Sequence, residues 1–322
     1  MLDQDLGTLT SSSISRNSYS LSAIDIALLI GTSGNDTLNG TAHDNLILGL
    51  SGNDSLNGGT GNDFLDGGAG NDLLDDTSGN NILNGGAGND FLLGADGNDY
   101  MFGGEGDDYL FGADGNDYMF GGTGNESLSG GAGNDYMFGG TGNDSLNGFE
   151  GNDHLYGGDG NDNLFGDLTF DSPGDDKISG GAGDDYLDGI AGNDSLYGNS
   201  GNDTLIGRNG NVTLTGGAGS DSFVFSSLGE GVDTITDFKG FQGDRITVSA
   251  QGFGGGLKIG SLPFDQFTIG SAATDTSDRF IYNKATGALL FDADGTGAIA
   301  QVQFAQLSTN LALTSNDIFI TA

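Results

Sequence analysis

Between Gly31 and Val224 a large apolar residue returns at every ninth position, and glycine, asparagine and aspartate fill most of the space between. The repeated phrase is G-G-x-G-N-D-x-L-x, with Gly67-Gly68-Ala69-Gly70-Asn71-Asp72-Leu73-Leu74-Asp75 as a clean copy. Fifteen copies run without a gap from Gly31 to Phe165, a longer copy with five inserted residues spans Gly166 to Ser179, and five more run from Gly180 to Val224. A fixed period of this kind settles architecture ahead of any single helix or strand. With the phrase numbered 1 to 9, position 8 is apolar in all 21 copies, from Leu38, Ile47 and Leu56 to Leu214 and Phe223. One inward side chain between two outward ones is the period of a strand, so positions 7 and 9 face out. Three residues of strand and six of turn predict a half-coil, and two phrases close a coil. Coils stacked about 4.8 Å apart predict two parallel sheets around a thin core of leucine and methionine. The expected fold class is all-β: a parallel solenoid with two nonapeptides per coil and a C-terminal β-rich cap.

The glycines at positions 1, 2 and 4 point to positive φ, or to turns that approach one another too closely for a Cβ. Position 5 is mostly asparagine (Asn35, Asn53, Asn62, Asn71), which tolerates the left-handed region. Position 6 is aspartate in 17 of 21 copies. Stacking sets carboxylates such as Asp54 and Asp72, or Asp99 and Asp117, side by side, where they repel. A hard dication resolves that conflict: carboxylates and turn carbonyls supply the six to eight oxygens that Ca2+ takes, whereas Mg2+ demands tighter octahedral geometry.

Charge sharpens this picture. The chain of 322 residues has 46 acidic and 8 basic residues, a net charge of −38, with no cysteine and two histidines. The repeat stretch holds 33 acidic residues against only Lys177 and Arg208. Such a chain repels itself unless counter-ions are built in, and it lacks the basic patches that nucleic-acid binding needs. Without cysteine there are neither disulfides nor thiolate metal sites. No apolar run approaches the roughly 18 residues of a spanning helix. Low hydrophobicity with high charge favours disorder, which is the expectation for the calcium-free chain. A disordered segment, however, would not keep an apolar residue at every ninth position.

The phrase G-G-x-G-x-D-x-U-x, with U a large apolar residue, resembles the signature of the RTX (repeats-in-toxin) hemolysin-type calcium-binding nonapeptides, over about 60% of the chain. The resemblance implies a calcium-binding parallel β-roll, export by type I secretion and folding only outside the cell. It also implies a ligand role for the position-6 aspartates that are present: Asp36, Asp54, Asp63, Asp72, Asp90, Asp99, Asp108, Asp117, Asp135, Asp144, Asp153, Asp162, Asp176, Asp185, Asp194, Asp203 and Asp221. Asn45, Asn81, Glu126 and Val212 stand at position 6 in the other copies, and His43 replaces a position-4 glycine. Of 19 same-side pairs of copies, six include one of those four, so about 13 intact Ca2+ sites are expected. The long copy keeps Pro173-Gly174-Asp175-Asp176, so its loop is expected to bulge outward and still ligate.

Sorting positions 7 and 9 by parity separates two outward faces. One carries Leu46, Phe64, Ile82, then Tyr100 and Phe102, Tyr118 and Phe120, Tyr136 and Phe138, then His154 and Tyr156. Two parallel aromatic columns follow. Either they stabilise the sheet by stacking, or they form a contact patch for a polysaccharide, a cell surface, another copy of the chain or its own terminal segments. The opposite face has Tyr109 and Phe111, then serine and asparagine. His154 reads as a solvated strand residue.

Three regions are expected: 1–30 as a leader or cap, 31–224 as the roll, and 225–322 as a cap and type I secretion region. Met1 to Ser22 has no basic leader, and no small-residue cleavage site follows, unlike a secretory signal peptide. Beyond Phe225 the alternation in Asp233 to Phe238 and Asp244 to Val248 predicts strands. Phe280 to Tyr282 and Ala288 to Phe291, with a turn between, predict a hairpin. Asp292 and Asp294 open like a cation-binding loop but lack the Glu at its twelfth place. The tail Asn316 to Ala322 resembles an uncleaved type I secretion signal.

The functional expectation is a secreted, extracellular, non-enzymatic protein that folds on binding Ca2+ and serves a structural, surface or adhesion role. One alternative is an RTX-linked secreted enzyme, for example one acting on polysaccharide. Against it, the segments flanking the roll carry no nucleophile elbow, no H-E-x-x-H helix and no histidine. A second alternative is an ice-binding roll, which would want a regular threonine ladder. Position 3 has threonine only at Thr60, Thr123 and Thr141.

Overall fold

The computed structural model describes residues 26–168, 170 and 173–322; most of the expected leader, 1–30, lies outside them. Successive copies alternate between two parallel sheets. Ala27–Ile30, Asn45–Ser51, Phe64–Ala69, Ile82–Ala87, Tyr100–Glu105, Tyr118–Thr123, Tyr136–Thr141 and His154–Asp159 stack in one. Thr37–Thr41, Ser55–Gly59, Leu73–Asp75, Phe91–Asp96 and Tyr109–Asp114 begin the other. Like positions lie opposite one another: Tyr118 pairs with Tyr100 on one side and Tyr136 on the other. The five inserted residues do not disturb the stack, since His154 pairs with Lys177 and Leu155 with Ile178.

Most strands are longer than the three residues expected, although Leu73–Asp75, Asn163–Phe165, Tyr186–Asp188 and Thr204–Ile206 keep that length. Tyr100–Glu105 is typical: it covers positions 7 to 9 and runs on through positions 1 to 3 of the next copy. The backbone there also pairs with its neighbour, Gly122 with Gly140 and Thr123 with Thr141, so only Gly-Asn-Asp remains as turn.

The core is the position-8 column. Every member from Ile47 to Phe223 is at most 1% exposed, and Leu38, near the N-terminal end of the described residues, is half-buried. Burying each such side chain is worth about 1.5–3 kcal/mol, and a solenoid this thin has little other apolar burial.

The roll overruns its sequence boundaries. Ala27–Ile30 already pairs in register with Asn45–Leu48. At the far end Asp233–Ile235 and Arg245–Ser249 add further parallel rungs. Val302–Gln306 then extends one sheet and Ile318–Thr321 the other. The expected hairpin is present, with Phe280–Tyr282 antiparallel to Ala288–Phe291 and Gly287 at φ 84° closing its turn. Phe253, Phe291 and Phe304 meet edge to face, Phe253 at 5.3 and 5.0 Å from the other two rings. The tail is part of this cap, with Ile318 and Ile320 fully buried. No helix among the described residues is long and apolar enough to cross a membrane.

Candidate metal centre

Parallel stacking puts each position-6 side chain against the turn of the preceding coil. The Asp36 N–H donates to Asp54 Oδ1 (2.7 Å), Asp54 N–H to Asp72 Oδ1 (2.7 Å) and Asp72 N–H to Asp90 Oδ1 (2.7 Å). The ladder crosses the insertion, where Asp153 N–H donates to Asp176 Oδ1 (2.8 Å). One carboxylate oxygen of each of these aspartates is thus tied. The other is not: in every position-6 aspartate from Asp54 to Asp221, Oδ2 is buried with no hydrogen-bond partner.

Those free oxygens share a constant setting. A Cβ on Gly49 would lie 2.5 Å from Asp54 Oδ2 and 2.6 Å from the carbonyl oxygen of Gly67; one on Gly67 would overlap Asp72 Oδ2 and lie 2.8 Å from Gly85 O. Position 1 is therefore glycine because its missing side chain leaves room between a carboxylate oxygen and a carbonyl from the next coil. Among the described residues no three acidic or histidine side chains converge on one point, so the donors at each rung are carboxylate plus main chain. This hard, all-oxygen set fits Ca2+. An unpaired buried carboxylate is costly, and a bound cation would remove that cost.

Electrostatics agree. Burial, opposed in part by the backbone N–H bond, pushes Asp99 and Asp135 to about 8, and repulsion from Asp117 and from Asp153 respectively adds to it. Asp176 is driven to about 9 by the same causes, and Asp117 and Asp153 to about 6 by burial.

A second ladder runs in the opposite sense along the surface. Position-5 side chains accept from the following coil, as in Asn71 N–H to Asn53 Oδ1 (3.0 Å) and Asn116 N–H to Asn98 Oδ1 (2.7 Å).

Departures from the phrase behave individually. Asp36, near the N-terminal end of the described residues, accepts through Oδ2 from the Thr32 N–H (2.6 Å) and Oγ1 (2.8 Å), so its Oδ2 is hydrogen-bonded where those of the others are not. Asn45 and Asn81 close their own rungs, turning an amide toward Gly58 O (3.3 Å) and Gly94 O (3.5 Å), the carbonyls that elsewhere face a carboxylate. Glu126 keeps a carboxylate in the row with both oxygens buried and unpartnered, and burial with its neighbour Asp144 pushes it to about 9. Val212 plugs its rung, but its N–H donates to Asp233 Oδ1 (3.1 Å), and Asp233 Oδ2 lies 2.7 Å from where a Cβ on Gly207 would be.

Four acidic residues belong to this system although the position-6 rule passes over them. Asp233 and Asp244 continue the ladder into the cap, Asp244 Oδ1 accepting from the Asp221 N–H (3.2 Å). Each is followed two residues later by a core isoleucine, Ile235 or Ile246, and that spacing was the readable signal. Asp76 and Asp167 stand at positions 1 and 2, where glycine is usual, and both are buried with an unpartnered oxygen.

Two other groups lie apart. In the cap loop Asp294 Oδ2 accepts from the Ala298 (2.8 Å) and Ile299 (3.2 Å) N–H, and Asp292 Oδ1 from the Asp294 N–H (3.2 Å), so the turn ties one oxygen of each aspartate, while Asp294 Oδ1 is buried without a partner. On the outward face the aromatic columns form as expected. Tyr100, Tyr118 and Tyr136 stack at 5.0 Å, and Phe102, Phe120, Phe138 and Tyr156 at 4.8–5.2 Å. His154 ends the tyrosine column, 4.5 Å from the Tyr136 ring and tilted by 37°.

A family model of the RTX calcium-binding nonapeptide repeat, itself four copies long, matches in overlapping blocks that begin at residues 28–56 and 39–74 and end at 170–196 and 197–227. No curated protein matches the chain. The matched blocks span the roll from its first strand to the start of the cap and cover well over half of the sequence. The ladder of free carboxylate oxygens lies within them, and on both grounds the chain belongs to the RTX calcium-binding nonapeptide repeat family.

Proposed function

We propose that this calcium-binding repeat protein is secreted, non-enzymatic and folded by the calcium it meets outside the cell. The observation that carries this reading is the row of buried Oδ2 atoms without partners from Asp54 to Asp221. Below the calcium level of the extracellular range, the roll would have to bury those charges unpaired and order a glycine-rich chain, and neither cost is offset. An unfolded chain of that kind suits passage through a type I secretion channel. At millimolar calcium, in the range of extracellular modules, ions bridge adjacent coils and binding free energy becomes folding free energy.

A structural, surface or adhesion role follows from what the rod presents. Its anionic turns repel acidic partners, whereas the Tyr100, Tyr118 and Tyr136 face offers apolar surface to a polysaccharide, a cell surface or a second copy. Circular dichroism of the purified chain through a calcium titration tests the central claim. Strand signal should rise cooperatively with calcium and collapse on chelation. Full strand content in strong chelator, with no ion retained by mass spectrometry, would overturn it.

A further inference from the structure

Position 1 is glycine in every copy but one, and the exception, Asp76, falls in the copy whose position-6 residue is Asn81. The two departures meet in space. The Asp76 side chain is 2% exposed. Its Oδ1 accepts from the Thr77 N–H (2.7 Å) and the Ser78 N–H (3.4 Å), while its Oδ2 is buried and unpartnered. That Oδ2 points back to the previous coil on the same side. A Cβ on Gly58 would overlap it, and would also lie 2.7 Å from Asp63 Oδ2, which is likewise buried and unpartnered. The other oxygen of Asp63 is held by the Asn45 N–H (2.6 Å) and by Asn45 Nδ2 (2.8 Å). Two carboxylates, each anchored through one oxygen, therefore turn their free oxygens toward one buried point.

We propose that Asp76 is a calcium ligand that forms, with Asp63, a two-carboxylate site beside Gly58 and replaces the charge lost at Asn81. The inference rests on the calcium reading above and refines it for one rung. A regular rung between two aspartate-bearing copies has a carboxylate on each coil. Here the second coil offers Asn81, whose Oδ1 accepts from the Asp63 N–H (2.9 Å) and whose amide leans toward Gly94 O. Asn81 is neutral and occupied. Asp76 restores an anionic oxygen from the same coil by a different route. Simple like-charge burial would be the alternative, and it leaves two orphaned oxygens facing one another with no cationic side chain among the hydrogen bonds and ion pairs of this rung. A hard dication satisfies both, since ligand charge count is what tunes such sites.

Native mass spectrometry of the full chain across a free-calcium series decides the matter, with inorganic Ca2+ as the only probe. Asp76→Asn should hold one ion fewer than the wild type at the free calcium that just fills the wild type, with that site filling only at concentrations on the order of tenfold higher. Asp76→Gly restores the ordinary glycine, so its fold is not at risk, and it should show the same deficit. Combining Asp76→Gly with Asn81→Asp rebuilds the regular phrase and should recover the missing ion. Equal ion counts for wild type and both single variants at every calcium level would overturn the proposal and leave the general calcium reading standing. A wild-type chain that takes up no calcium would overturn both.

Discussion

At the scale of single residues, position 2 is where side chains are carried at a backbone cost. Leu50, Ala95, Ala113, Phe149, Ile190, Asn199 and Arg208 all occupy it with φ between 58° and 81°. For L-residues that region costs roughly 1–2 kcal/mol each, and a β-branched side chain there is a genuine outlier. The turn holds because hydrogen bonds on both sides fix it, as where the Gly192 N–H donates to Asn209 O (2.9 Å) and the Asn209 N–H to Ile190 O (3.2 Å). Ile190→Gly should therefore stabilise the calcium-loaded roll by about 1 kcal/mol, read as a higher thermal midpoint at fixed free calcium. An unchanged or lower midpoint would mean that packing of the half-buried isoleucine outweighs its strain. The same residue-level logic separates glycines by cause. Gly68 and Gly70 supply positive φ, at 100° and 134°, and a Cβ on either would also overlap a carbonyl of the preceding coil, whereas Gly67 has no positive φ and is needed for the space between Asp72 and the Gly85 carbonyl.

At the scale of strands, the aromatic columns raise a question of division of labour. Near-parallel rings 4.8–5.2 Å apart are offset-stacked along the roll, with interplanar angles of 2–6°. Each ring thus turns its faces largely toward its neighbours and offers its edge, with the Tyr hydroxyl, to solvent. Stacking of this kind contributes about 0.2–1 kcal/mol per cross-strand pair, so the columns hold coils together whether or not they touch a partner. Replacing Tyr100, Tyr118 and Tyr136 together with serine separates the two roles. The expected outcome is a modest fall in thermal midpoint with loss of self-association or of binding to glycan or cell surfaces. Sedimentation and surface-binding assays that match the wild type would remove the contact role and leave stacking alone.

For the whole molecule, the buried carboxylates make the calcium-free roll sensitive to pH in an unusual direction. Asp99, Asp135 and Asp194 are raised to about 8 and Asp176 to about 9, chiefly by burial. Their unfolded-state values are near 3.9. Below about pH 4 both states are protonated and no penalty arises. Between about pH 4 and pH 8 the roll retains protons that the unfolded chain has released, so its stability falls with every step upward in pH. In chelator, acidification from pH 8 towards pH 5 should accordingly recover strand content, with protons standing in for calcium. In the presence of calcium the same change should weaken ion binding, because protons and ions compete for the same oxygens. Far-ultraviolet circular dichroism with and without chelator over that range checks both halves. A calcium-free chain that loses strand signal on acidification would contradict the assignment of these oxygens as the controlling charges.

Period and composition alone determined the two parallel sheets, the inward column from Ile47 to Phe223 and the carboxylate ladder, because a nine-residue period with one apolar member admits a single way to bury that member in strands. They also determined the outward aromatic columns, since position parity on a stacked coil is arithmetic. Tertiary structure alone decided what depends on neighbours 18 or more residues away. It showed that most strands extend through positions 1 to 3, because the next coil pairs with them, and that Ala27–Ile30 and Asp233–Ile235 join the stack without carrying the phrase. It also assigned the unequal rungs: Asp36 taken by Thr32, Asn45 and Asn81 self-closed, Val212 served by Asp233, and Asp76 turned toward Asp63. A linear phrase specifies which atoms each turn brings, but only the contact between turns decides which of those atoms is left over for a cation.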